Sequence, residues 1–79
     1  MPKDVGLERL FGQVLQKLRT ERGLSQEELG FESNYHRTYI SQLERGQKNP
    51  SLKAIFRLAE ALGVKPSEMI RRIESRVEE

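Results

Sequence analysis

The stretch Ser25-Gln26-Glu27-Glu28-Leu29-Gly30-Phe31-Glu32-Ser33-Asn34-Tyr35-His36-Arg37-Thr38-Tyr39-Ile40-Ser41-Gln42-Leu43-Glu44-Arg45-Gly46 decides the fold. It opens on the form of a capping box: Ser25 caps a helix, and Glu28 returns a bond to the Ser25 backbone. Leu29 is the apolar anchor of that short helix, with Phe31 assisting it. Ser33-Asn34-Tyr35 breaks the pattern, and Asn34 tolerates left-handed backbone geometry. A further helix then runs from about Arg37 to Arg45, with His36 at its N-cap and Gly46 ending it.

Helical periodicity extends outward on both sides. Leu7, Leu10, Phe11, Val14, Leu15 and Leu18 recur at steps of three and four, so a first helix spans about residue 6 to Arg22. Arg19 and Arg22 in its last turn suit the helix dipole, and Gly23 stops it. Downstream, Gln47-Lys48-Asn49-Pro50 is a polar loop and Ser51 caps a fourth helix. Leu52, Ile55, Phe56, Leu58, Ala59 and Leu62 are expected to face inward there, and Gly63 closes it. Pro66 suits the first turn of a fifth helix, about 66–77, carrying Met69, Ile70, Ile73 and Val77. The expectation is an all-α five-helix bundle forming a single domain over residues 1–79.

The second and third helices have the separation of a helix-turn-helix. Gly30 allows close approach, Asn34 takes the turn position that needs positive φ, and Ile40 and Leu43 supply the buried face. Ser33 stands where an apolar residue is usual, predicting a less well packed corner. With Ile40 and Leu43 inward, Arg37, Thr38, Ser41, Gln42 and Arg45 point outward. Arg can bond bidentately to guanine and Gln to adenine, and Thr can touch a thymine methyl or a phosphate. An ordinary solvated helix face is the alternative, but such a face would more often mix Glu and Lys.

Charge distribution points to the same segment. The net charge of +2 is unevenly spread: residues 34–57 carry +4 and the flanking thirds −1 each. A polyanion would be met in the middle third. Zero cysteines exclude disulfides, zinc ribbons and thiol nucleophiles, and the single His36 leaves no set of metal ligands. No apolar run approaches the length of a membrane span. Lys3, Asp4, Glu8 and Arg9 argue against a signal peptide, so a soluble cytoplasmic chain is expected. No nucleophile–base motif, glycine-rich phosphate loop or metal spacing is present, so neither enzyme nor cofactor is expected. With 79 residues, the thin core leaves oligomerisation as the available reinforcement.

Three strings, LRTERGLSQEELG (18–30), HRTYISQLERG (36–46) and NPSLKAIFRLAEALGV (49–64), carry a wider resemblance. Residues 9–70 resemble the lambda-repressor-like, Xre-type helix-turn-helix family. His36 to Ser41 and the chain length look especially like the restriction–modification controller proteins, small dimeric regulators with no separate effector domain. The resemblance implies a sequence-specific transcriptional regulator binding double-stranded DNA as a homodimer. Arg37, Thr38 and Gln42 match base-reading positions, and Ser41 a neighbouring one. Gln26 matches a position that contacts phosphate or a nearby base, and Lys48 and Asn49 match a loop lying along the backbone. Arg45, on the outward face, joins the backbone set. His36 could approach a phosphate as an N-cap, or do nothing. Tyr39 could reach a phosphate or pack sideways on the core. Arg19 and Glu44 match a structural ion pair. Ile70, Ile73 and Val77 form a stripe on the last helix expected to serve a two-fold interface. Glu27, Glu28 or Glu32 could touch RNA polymerase. A phage-type repressor, an antitoxin-like regulator or a helical protein-interaction module are the competing readings.

Overall fold

Each helix begins and ends where its local chemistry allows. A computed structural model describes residues 6–78. Lys3 and Asp4, and the two ends of the expected 1–79 domain, lie outside the described residues. The elements are α1 (Leu7–Glu21), α2 (Gln26–Ser33), α3 (Arg37–Glu44), α4 (Leu52–Leu62) and α5 (Pro66–Val77), with no strand among the described residues. None of these helices is long and apolar enough to cross a membrane.

The capping box at Ser25 is complete. Ser25 Oγ accepts from the Glu28 backbone N–H at 3.0 Å, and Glu28 Oε1 accepts from the Ser25 N–H at 2.8 Å. The bond from the Ser25 backbone, then that with its side chain, holds the Glu28 carboxyl below its ordinary pKa. At α3 the His36 Nδ1 accepts from the Thr38 N–H at 3.0 Å, and at α4 Ser51 Oγ accepts from the Ala54 N–H at 3.0 Å. Asn34 is the one non-glycine residue with positive φ (64°) among those described. That conformation turns the chain out of α2 and lets the Tyr35 N–H donate to Gly30 O at 2.8 Å.

The core is one cluster. Leu15 and Leu18 of α1, Leu29 of α2, Ile40 and Leu43 of α3, Leu58 and Leu62 of α4 and Met69 of α5 are all buried. Helix α1 packs on α3 and α5, while α4 packs on α2 and α5. Two ion-paired or hydrogen-bonded arginines of α5 reach across to α1: Arg72 to Glu21 at 3.7 Å and Arg76 to Gln13 at 3.0 Å. Arg22 donates to the Leu62 carbonyl, joining the end of α1 to the end of α4.

Several expected core positions are corrected. Phe31, Leu52 and Phe56 are 87%, 72% and 56% exposed. Each stands two residues from a fully buried one (Leu29, Ala54 and Leu58), and two helical steps turn a side chain about 200° away. Leu7, at the start of α1, is also exposed. Ser33 leaves no loosely packed corner: it is buried, and its Oγ donates to Leu29 O at 2.7 Å.

Gly12 sets how closely α1 approaches α3. A Cβ there would lie 2.5 Å from Glu44 O and closer still to Leu43 O. Both are backbone atoms, so neither can swing aside. Gly12→Ala should therefore lower unfolding stability by about 1–3 kcal/mol, measured in urea. Gly23→Ala meets no atom within 4 Å and strains only a φ of 72°, so its loss should stay at about 1–2 kcal/mol with the packing of α1 on α3 intact.

Candidate nucleic-acid interface

The turn and the two caps place a set of polar side chains along one flank of the bundle. Arg37 and Thr38, in the first turn of α3, are exposed. Ser41 and Gln42 follow one turn later and are half-buried, so the outward face expected for them is partly shielded. Arg45, the C-cap of α3, is exposed, as are Lys48 and Asn49 in the loop before α4. Asn49 also borders an apolar groove between α1, α4 and α5. None of Arg37, Arg45 or Lys48 is ion-paired within 4.0 Å among the described residues. Their charge is available to a polyanion.

His36 is committed through one nitrogen. Its Nδ1 accepts the Thr38 N–H, which places the ring proton on Nε2, the side left to donate outward. Tyr39 is half-buried against the core with its ring 4.9 Å from that of Tyr35. Burial, and secondarily Tyr35, raises its phenol above the ordinary pKa.

Gln26 opens α2 and is engaged within the protein. Its Nε2 donates to Glu44 Oε1 at 2.9 Å. The same carboxylate receives both arms of Arg19, Nε to Oε2 at 2.6 Å and Nη2 to Oε1 at 3.1 Å. Arg19 Nη1 donates to Leu24 O at 2.8 Å. The pair is largely withdrawn from water, with side chains 11% and 3% exposed. It joins the end of α1, the start of α2 and the end of α3, so the entry of α2 and the length of α3 keep one relative position.

The α5 stripe divides. Met69 is buried in the core, Ile73 packs against it while half-buried, Val77 is half-buried, and Ile70 is 47% exposed. Ile70, Ile73 and Val77 line the apolar groove with Leu7, Phe11 and Ile55. This groove has a volume of about 390 Å³ and lies apart from the outward face of α3.

A family model described as helix-turn-helix matches residues 15–69, from the middle of α1 to Met69. The chain belongs to this helix-turn-helix family. Over 62 residues this helix-turn-helix chain is 47% identical to the control protein C.BamHI of Bacillus amyloliquefaciens, spanning 77% of the chain and 76% of that protein. It superposes on the crystal structure of the restriction-modification controller protein C.AhdI from Aeromonas hydrophila with a TM-score of 0.77 at 50% identity, covering 78% of this chain and 94% of that one. The wild-type restriction-modification controller protein C.Esp1396I gives a TM-score of 0.84 at 30% identity, covering 92% and 94%.

Sequence reasoning missed three participants in this helix-turn-helix. The resemblance implies a phosphate or base contact for Gln26 and gives no sign that its amide donates to Glu44 of the Arg19–Glu44 pair. Tyr35 and Arg57 were not singled out, although Arg57 Cζ stands 5.2 Å from the centre of the Tyr35 ring. Tyr35 precedes the His36 N-cap, so the helical spacing of α3 gives no signal of its contact with Tyr39. Arg57, on α4, had none in the local sequence.

Removing Glu44 leaves a largely buried guanidinium without its counter-charge. Glu44→Ala should cost about 3–5 kcal/mol of unfolding stability by urea denaturation. Gln26→Ala removes a neutral donor instead, at a cost of about 1 kcal/mol.

Proposed function

We propose that this helix-turn-helix chain is a sequence-specific, double-stranded-DNA-binding regulator of transcription, acting as a homodimer on a (pseudo)palindromic operator in the manner of a restriction–modification controller protein. The observation that carries the proposal is the face of α3: Arg37 and Thr38 are exposed, Ser41 and Gln42 lie half-buried beside them, and the flanking cations Arg45 and Lys48 have no ion pair among the described residues. An α-helix of this kind fits the major groove, where Arg and Gln discriminate base edges. Lys48 and Asn49 in the loop, His36 at the N-cap and Arg45 at the C-cap are placed to meet phosphates on either side, fixing register without reading sequence. The names of C.BamHI, C.AhdI and C.Esp1396I support the same assignment.

The apolar groove supports the dimer. Ile70, Ile73 and Val77 on α5, with Leu7 and Ile55, offer a contiguous apolar surface on a chain whose own core is thin. A dimer closed through this face reads two half-sites if its two α3 helices stand about one DNA turn apart, roughly 34 Å. Contact with RNA polymerase is favoured by one further observation. Phe31 projects from α2 at 87% exposure, with the exposed acids Glu27 and Glu28 a turn before it and Glu32 beside it. An apolar tip with an acidic collar suits a basic protein surface.

Selection from a random duplex pool at near-physiological salt tests the function. The expected product is a two-fold symmetric motif with half-sites about one helical turn apart. Recovery of sequence-blind, salt-sensitive binding, or of none, would hand the assignment to a protein-interaction module. On the selected operator, Arg37→Ala should cost about 1–3 kcal/mol and relax preference at one base pair. Lys48→Ala should weaken every duplex alike and lower the salt slope by about one. Ile70→Asp places a charge on the groove while sparing the core, and sedimentation should then show a monomer at concentrations where the unaltered chain is a dimer.

A further inference from the structure

Tyr35 lies in the turn between α2 and α3, Tyr39 on α3, and Arg57 on α4. All three are half-buried. The two rings are 4.9 Å apart and tilted by 45°, and the Arg57 guanidinium carbon stands 5.2 Å from the Tyr35 centroid. Both separations fall in the range of attractive aromatic and cation–π contact. Arg57 forms no ion pair within 4.0 Å among the described residues, so the Tyr35 ring is the partner that orients it.

The middle member is held by its backbone. The Tyr35 N–H donates to Gly30 O at 2.8 Å, and Tyr35 O would lie 2.6 Å from any Cβ added at Gly30. The backbone from which the Tyr35 ring projects is thus fixed, and the ring itself lies between Arg57 of α4 and Tyr39 of α3. Tyr39 and Gln42 are three residues apart on α3, so their side chains are surface neighbours. Tyr39 therefore stands at the edge of the reading face on the Gln42 side, away from Arg37.

We infer that Arg57, Tyr35 and Tyr39 form a positioning relay that buttresses the Gln42 flank of α3, so that Arg57 and Tyr35, which read no base, help set sequence discrimination. The inference rests on the DNA-reading role proposed for α3. Arg57 braces Tyr35 from the α4 side, Tyr35 limits the swing of Tyr39, and Tyr39 limits that of Gln42. The relay acts on the difference between specific and non-specific duplex, since non-specific binding needs only phosphate contacts.

The test uses the full chain, the selected operator and a random duplex of equal length. Tyr35→Leu should reduce the ratio of specific to random affinity about two- to fivefold, the worth of one such contact. The loss should concentrate at the base pair facing Gln42, with the salt slope unchanged. Tyr35→Phe keeps the ring and should keep the ratio. Arg57→Lys keeps the charge but not the planar stack, and should shift the ratio in the same direction as Tyr35→Leu. A structural reporter accompanies these. The chain has two tyrosines and no tryptophan, so Tyr35→Leu leaves Tyr39 as the sole phenol. Burial, the larger cause of the raised Tyr39 phenol, does not depend on the Tyr35 phenol, so a Tyr39 that still packs on the core keeps its tyrosinate absorbance above the ordinary tyrosine range. An unchanged ratio in both Tyr35→Leu and Arg57→Lys, with wild-type selectivity intact, overturns the relay and leaves the DNA reading standing. Equal weakening of both duplexes by Arg57→Lys makes Arg57 a phosphate contact and overturns it too. A wild-type chain without any operator preference overturns the DNA reading itself. Should Tyr35→Leu unfold, Arg57→Lys carries the same comparison.

Discussion

The clasp of Arg19 on Glu44 is the constraint on which the rest of the arrangement depends. One guanidinium satisfies the Glu44 carboxylate with two arms and the Leu24 carbonyl with a third, while Gln26 donates to Glu44 Oε1, the oxygen it shares with Arg19 Nη2. Desolvating a charged pair is costly, and the cost is offset only when every donor and acceptor finds a partner. That condition is met here, since no buried side-chain polar atom among the described residues lacks one. A fully satisfied polar knot tolerates few alternative geometries, so it specifies the mutual angle of three helices more sharply than apolar packing alone.

Close backbone approach completes what the clasp begins. Gly12 lets α1 come within contact of the last carbonyls of α3, and Gly30 lets α2 come within contact of the turn. The helix-turn-helix is therefore held at both ends by charge-assisted hydrogen bonds and at its crossings by missing side chains. Asn34 supplies the one reversal of backbone hand that the short connection needs.

Much of this was legible in the sequence. The order and bounds of the helices followed from caps and stops: Ser25 with Glu28, His36, Ser51, Pro66, and the glycines after α1, α3 and α4 each have a local physical consequence. The Arg19–Glu44 pair was reachable only through family resemblance, because its partners are 25 residues apart. Burial on α4 was overstated for Leu52 and Phe56, since hydrophobicity alone does not say which of two apolar stripes on an eleven-residue helix wins the core. Phe31 misled for the same reason. On the outward side, Arg37 and Thr38 lie as the helical pattern requires, whereas the half-burial of Ser41 and Gln42 depends on neighbours that no local pattern contains.

Helix α1 is bonded to α3 through Arg19 and to α5 through Glu21 and Gln13. It is thus a strut between α3 and the apolar groove, and at 15 residues it is about 22 Å long. In each half of the proposed dimer, α3 is then joined to the apolar groove by a stiff member. Inserting one base pair between half-sites shifts them by about 3.4 Å and rotates them by roughly 35°. A jointed protein could follow such a displacement by flexing, but a braced one transfers the strain to the DNA. The same braces that stabilise a thin core would make this chain a gauge of length and helical phase, so that an operator with correct half-sites at the wrong separation is refused.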